Sequence, residues 1–70
     1  MGSDERAKLK ALLSYWVEHN REHSHEFKEW VDKAKVLGEV EVAEEILRAS
    51  QEMDKVSELL SQSLKRLEEE

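Results

Sequence analysis

Leu9, Leu13, Trp16, Asn20, His23, Phe27, Trp30, Ala34 and Leu37 follow one another at strictly alternating intervals of four and three residues. Such spacing places every member on one stripe of an α-helix and predicts a single helix over residues 4–37 with a heptad seam. Ser3 or Asp4 can cap its start, and Asp4 and Glu5 favour the positive end of the helix dipole. Gly38 follows immediately, where a left-handed residue closes a helix. A second stripe runs through Val42, Ala43, Ile46, Ala49, Ser50, Met53, Val56, Ser57, Leu60, Leu64 and Leu67. It predicts a second helix over residues 40–68. Folding the chain back at a turn of residues 38–39 pairs residues whose numbers sum to about 77, so that bulky groups meet small ones as close packing requires. Ala34 then faces Ala43, Leu13 faces Leu64, and Phe27 and Trp30 face Ser50.

The expected fold is all-α: an antiparallel, coiled-coil-like two-helix hairpin forming one domain over residues 1–70. Tyr15, Val17 and Val31 on the first helix, and Leu47 and Leu59 on the second, fall outside the narrow seam. Two helices bury one strip each, and these extra apolar positions call for a further covering surface. Pairing of two hairpins into a four-helix bundle, a homodimer, supplies it.

Composition narrows the function classes. With 70 residues there is one small domain and little room for a substrate cavity. Charged residues make up 40% of the chain, and only two glycines and no prolines are present, a bias that suits long helices. A net charge of −6, with Lys and Arg scattered among acids, argues against nucleic acid or an anionic membrane as partner. No cysteine is present, which removes disulfides, thiolate catalysis and Cys-ligated metal centres. No apolar run approaches the roughly 18 residues of a membrane span. Met1-Gly2-Ser3 reads as an expression leader, and the idealised charge pattern suits a designed chain; a natural one would be cytoplasmic. The terminal Glu68-Glu69-Glu70 run opposes the helix dipole and is expected to fray.

The chemistry-bearing candidates sit in the middle of the first stripe. His19, Asn20 and His23 place polar groups where the spacing demands apolar ones, and burying them without partners costs roughly 1–3 kcal/mol each. The hairpin register sets Asn20 against Ser57 and His23 near Met53 and Asp54. The leading expectation is therefore a hydrogen-bonded polar layer of His19, Asn20, His23 and Ser57 that fixes register and oligomeric state. The alternative is a metal site. Histidines four apart project from one helix face and can chelate Zn, Ni or Cu, with Asp54, Glu22 or Glu26 assisting. A third reading is a pH-responsive bundle in which protonation of the two histidines loosens the interface.

Other candidates read as architecture. His25 lies about 160° around the helix from His23 and is expected on the surface. Glu22-x-x-His25 has the spacing of carboxylate-bridged di-iron bundles, but it points outward. Trp16, Phe27 and Trp30 are expected in the core, with Met53 as a gap filler. The serines have no acid–base partner arranged as in a catalytic triad, so no enzyme activity is expected.

The segment Trp16-Val-Glu-His19-Asn20-Arg-Glu-His23-Ser-His-Glu-Phe27-Lys-Glu-Trp30 resembles a pattern in short, uncharacterised archaeal and bacterial helical-hairpin proteins. The resemblance continues through Lys35-Val-Leu-Gly38-Glu-Val-Glu-Val-Ala43 and the Leu-rich end, covering residues 9–67. Its specific part is Trp-x-x-His-Asn-x-x-His. It implies a hairpin fold and directs attention to His19, Asn20 and His23, with no activity attached. Similar proteins often carry a further histidine where this chain has Ser14, a departure that weakens any three-histidine site.

Overall fold

A computed structural model describes residues 2–69, with side chains from Asp4 onward. Two helices fill it: α1, Gly2–Val36, and α2, Val40–Glu69. They lie antiparallel in a rod whose principal extents are 55 × 15 × 12 Å. No proline interrupts α1, which passes through His19–Arg21 without a break. Helix α1 begins at Gly2, upstream of Ser3 and Asp4, so neither is its N-cap; Asp4 and Glu5 lie in the first turn. Helix α2 continues through Glu68 and Glu69, and the end of the expected frayed run, Glu70, lies outside the described residues.

The connection is made by three residues. The Gly38 N–H donates to the Lys35 carbonyl at 3.0 Å, and the Glu39 N–H donates to the Ala34 carbonyl at 2.9 Å. These are the paired bonds of a Schellman closure, which needs a left-handed residue at its centre. Gly38 supplies it with φ 83°. An added Cβ there would meet no atom within 4 Å, so the conformation alone selects glycine. The Glu39 carbonyl then accepts from the Ala43 N–H at 2.9 Å, opening α2.

The seam differs from the sequence expectation on both helices. On α1 the residues turned toward α2 are Leu13, Val17, Asn20, Ser24, Phe27, Val31 and Ala34, all buried or half-buried. Leu13, Asn20, Phe27 and Ala34 were expected there. Leu9, Trp16, His23, Trp30 and Leu37 were too, but the adjacent Val17, Ser24 and Val31 hold the middle three places, while Trp16 and Trp30 remain 39% and 49% exposed and Leu9 and Leu37 43% and 73%. Both rows alternate by four and three; only packing distinguishes them. Valine and serine are narrow enough to let the helices approach, whereas an indole between them would hold them apart. On α2 the seam is Ala43, Ile46, Ser50, Met53, Ser57, Leu60, Leu64 and Leu67, while Val42, Ala49 and Val56, also expected on the inward stripe, stand exposed beside it. Val31, Ala34 and Ala43 form the tightest cluster, with Ile46 packed against it near the turn.

Candidate functional site

One edge of the seam carries a polar network. Buried Ser24 directs its hydroxyl at Asp54 Oδ1, 2.5 Å away, with the Ser50 carbonyl at 3.2 Å. A hydroxyl has one proton, so the short contact to the carboxylate is the principal bond. Lys28 Nζ donates to Asp54 Oδ2 at 2.9 Å, an ion pair across the helices. The Ser24 hydrogen bond first, and then Lys28, hold the Asp54 carboxyl below its ordinary pKa. Neither Ser24 nor Lys28 stood out in the sequence. The signal for Ser24 was its place in the row through Val17 and Val31, which the neighbouring aromatic row obscured.

This ion pair also fixes which flanks share a face. Lys28 belongs to the flank of Ser14, Arg21 and Lys35 at seven-residue intervals, and Asp54 to that of Leu47, Ser61 and Glu68. Since those flanks meet, the remaining two share the opposite face. They are Leu9, Trp16, His23, Trp30 and Leu37 from α1, and Val42, Ala49 and Val56 from α2. Leu9, Trp16, Trp30, Leu37, Val42 and Val56 each stand between 39% and 73% exposed. One broad side of the hairpin is therefore mainly polar, with Leu47 exposed on it and the Lys28–Asp54 pair across it, and the other is mainly apolar and uncovered.

The histidine pair lies in the middle of the apolar side. His19 Nε2 and His23 Nε2 are 3.0 Å apart, a hydrogen bond whose donor is set by the tautomers of the two rings. The pair is part of a ladder of rings along α1. Tyr15 stacks on His19 at 5.3 Å, His19 meets His23 edge-on at 4.4 Å, and His23 lies 6.0 Å from Phe27. Successive members are four residues apart, so the helix itself sets their contact. On its outer side His23 Nδ1 is 3.9 Å from Glu26 Oε2. Lys33 Nζ sits 4.4 Å from the Trp30 ring centroid at one end of the face, a cation–π contact.

The structure thus brings His19 and His23 together, with Glu26 beside them. Asn20 lies half-buried in the seam, and no hydrogen bond among the described residues joins it to Ser57. The Ser57 hydroxyl donates instead to the Met53 carbonyl of its own helix at 3.0 Å. Asp54 is engaged by Ser24 and Lys28 on the opposite flank, away from the histidines. Glu22 makes no hydrogen bond or ion pair with them. His25 points outward to Glu29, Nε2 to Oε1 3.0 Å. Among the described residues no group of three His, Asp or Glu side chains closes on a single point, and no helix is long and apolar enough to cross a membrane.

A family model described as a domain of unknown function, DUF8180, matches residues 9–67. The chain belongs to that family. The matched span runs from the first residue of the apolar flank, Leu9, to the last apolar seam residue of α2, Leu67, so the DUF8180 domain is the hairpin itself. No curated protein and no solved structure matches the chain.

Proposed function

We propose that this DUF8180 chain is a non-enzymatic self-association module, two hairpins pairing through their apolar faces into an antiparallel four-helix bundle. One observation carries the reading. The uncovered flank of α1 reads Leu9, Trp16, His23, Trp30, Leu37 at seven-residue intervals, a palindrome centred on His23. A two-fold axis requires a self-complementary surface, in which residue i meets j and j meets i. Antiparallel apposition of two such flanks brings Leu9 to Leu37, Trp16 to Trp30 and His23 to His23 of the second copy. Areas agree as well. The broad face of a 55 × 15 Å body offers roughly 800 Å², the share each partner gives to a specific interface. A hairpin whose tightest cluster is Val31, Ala34, Ala43 and Ile46 has little core of its own, and small scaffolds commonly gain stability by association.

Sedimentation equilibrium and oxidative cross-linking test this. The chain is expected to sediment as a dimer, and His23→Cys to form a disulfide-linked dimer readily because the two copies meet there. Leu9→Cys, which would face Leu37 of the other copy, is expected to cross-link poorly. A monomer throughout the micromolar range, or equal cross-linking at both positions, would refute the pairing.

A further inference from the structure

We propose that His19 and His23 of a single hairpin together chelate one late first-row divalent cation, Cu²⁺ or Ni²⁺ ahead of Zn²⁺. This goes beyond self-association and does not depend on it. Both Nε2 atoms already converge, 3.0 Å apart. An ion about 2.1 Å from each, the usual metal–imidazole distance, would subtend an angle of about 90° between them. That angle is the cis angle of a tetragonal Cu²⁺ or Ni²⁺ centre, whereas tetrahedral Zn²⁺ asks the nitrogens to spread further. The ring that donates through Nε2 would move its proton to Nδ1, freeing both Nε2 lone pairs, and the ion would sit about 1.5 Å to the side of the line joining them.

Each ring must turn by about 45° to aim its Nε2 at the ion, while the backbone stays as it is. Tyr15 stacks against one imidazole and Phe27 lies beside the other, restricting ring rotation on both sides. Glu26 Oε2 lies 3.9 Å from His23 Nδ1, outside hydrogen-bond reach, and would have to move closer to accept from that nitrogen, as carboxylates behind metal-bound histidines commonly do. The chain contributes two donors, since no third His, Asp or Glu closes on the point among the described residues. In a separate hairpin the remaining positions are therefore open to water, as suits an exchangeable ion more than a permanent structural one.

The test is calorimetric titration of the EDTA-treated full chain with CuCl₂, NiCl₂ and ZnCl₂ at pH 7.5, beside His19→Ala, His23→Ala and His25→Ala. All three histidines are at least partly exposed, so circular dichroism should show unchanged helix content. One Cu²⁺ per chain is expected, bound more tightly than Zn²⁺, with paramagnetic resonance reporting two nitrogen ligands. Either His19→Ala or His23→Ala should weaken binding by about tenfold or more, given that even outer contacts matter that much, while His25→Ala leaves it unchanged. Unaltered binding in His19→Ala or His23→Ala, or no binding at millimolar ion, overturns the proposal. Half an ion per chain would move the site to a contact between copies and also overturn the single-chain chelate. Sedimentation of the metal-free chain, measured separately, decides self-association whichever of these results appears.

Discussion

Asp54 is held from two sides, by the hydroxyl of buried Ser24 and by the ammonium of Lys28, and both favour its ionised form. The sign of the consequence follows from linkage. A carboxyl whose folded pKa lies below its unfolded value contributes stability above the unfolded pKa of about 3.9, and loses it as pH falls through the folded value. Urea unfolding at pH 7 and pH 3 should therefore show a gap between the parent and Asp54→Asn that narrows in acid. A gap of constant width would mean that the carboxylate charge contributes nothing. The periodicity made Asp54 visible as a candidate ligand for the histidines. Its actual partners depended on which flank of α1 met α2, and residue spacing alone leaves that open.

At the level of elements, the turn was legible because its chemistry is local. Gly38 follows Leu37, the end of the four-and-three row, its φ of 83° suits glycine, and the helix boundaries lie within two residues of those the spacing predicts. Replacing it with alanine places a Cβ in a left-handed conformation without any steric clash beyond its own backbone. Gly38→Ala is accordingly expected to cost about 1 kcal/mol. In a domain of this size that lowers the thermal midpoint by about 4–8 °C, measurable by circular dichroism. An unchanged midpoint would show that the turn relaxes to another closure. The rotation of α1 was less legible, because two rows with identical spacing run side by side along the helix. Trp16, His23 and Trp30 form one; Val17, Ser24 and Val31 form the other. Hydrophobicity favours the first row for burial, yet the width of the gap between two close helices selects the second.

For the whole molecule, the displaced aromatic row becomes informative. It leaves an apolar side opposite the Lys28–Asp54 edge, and the palindrome along it fits a two-fold contact better than attachment to an unrelated surface. Association ties stability to chain concentration. If the dimer is the folded unit, a tenfold rise in concentration should raise the thermal midpoint by about 5 °C. A midpoint independent of concentration, in a range where sedimentation finds monomer, would leave the hairpin stable on its own and remove the reason for pairing.

The sequence by itself determined two helices, the glycine closure and the antiparallel return, because each depends on local backbone preference or on the helical period; on α2 it left open that Val42, Ala49 and Val56 stay outside the seam. Membership of residues 9–67 in the DUF8180 family agrees with that extent. The convergence of His19 and His23 was also legible, since a helix brings side chains four apart into contact wherever it lies. Tertiary structure decided which α1 row the second helix covers, and hence that His23 stands on the flank, that Asp54 belongs to Ser24 and Lys28, and which broad side remains apolar. Those outcomes depend on the distance and rotation between two helices, which follow from side-chain volumes on both helices at once and not from the period of either alone.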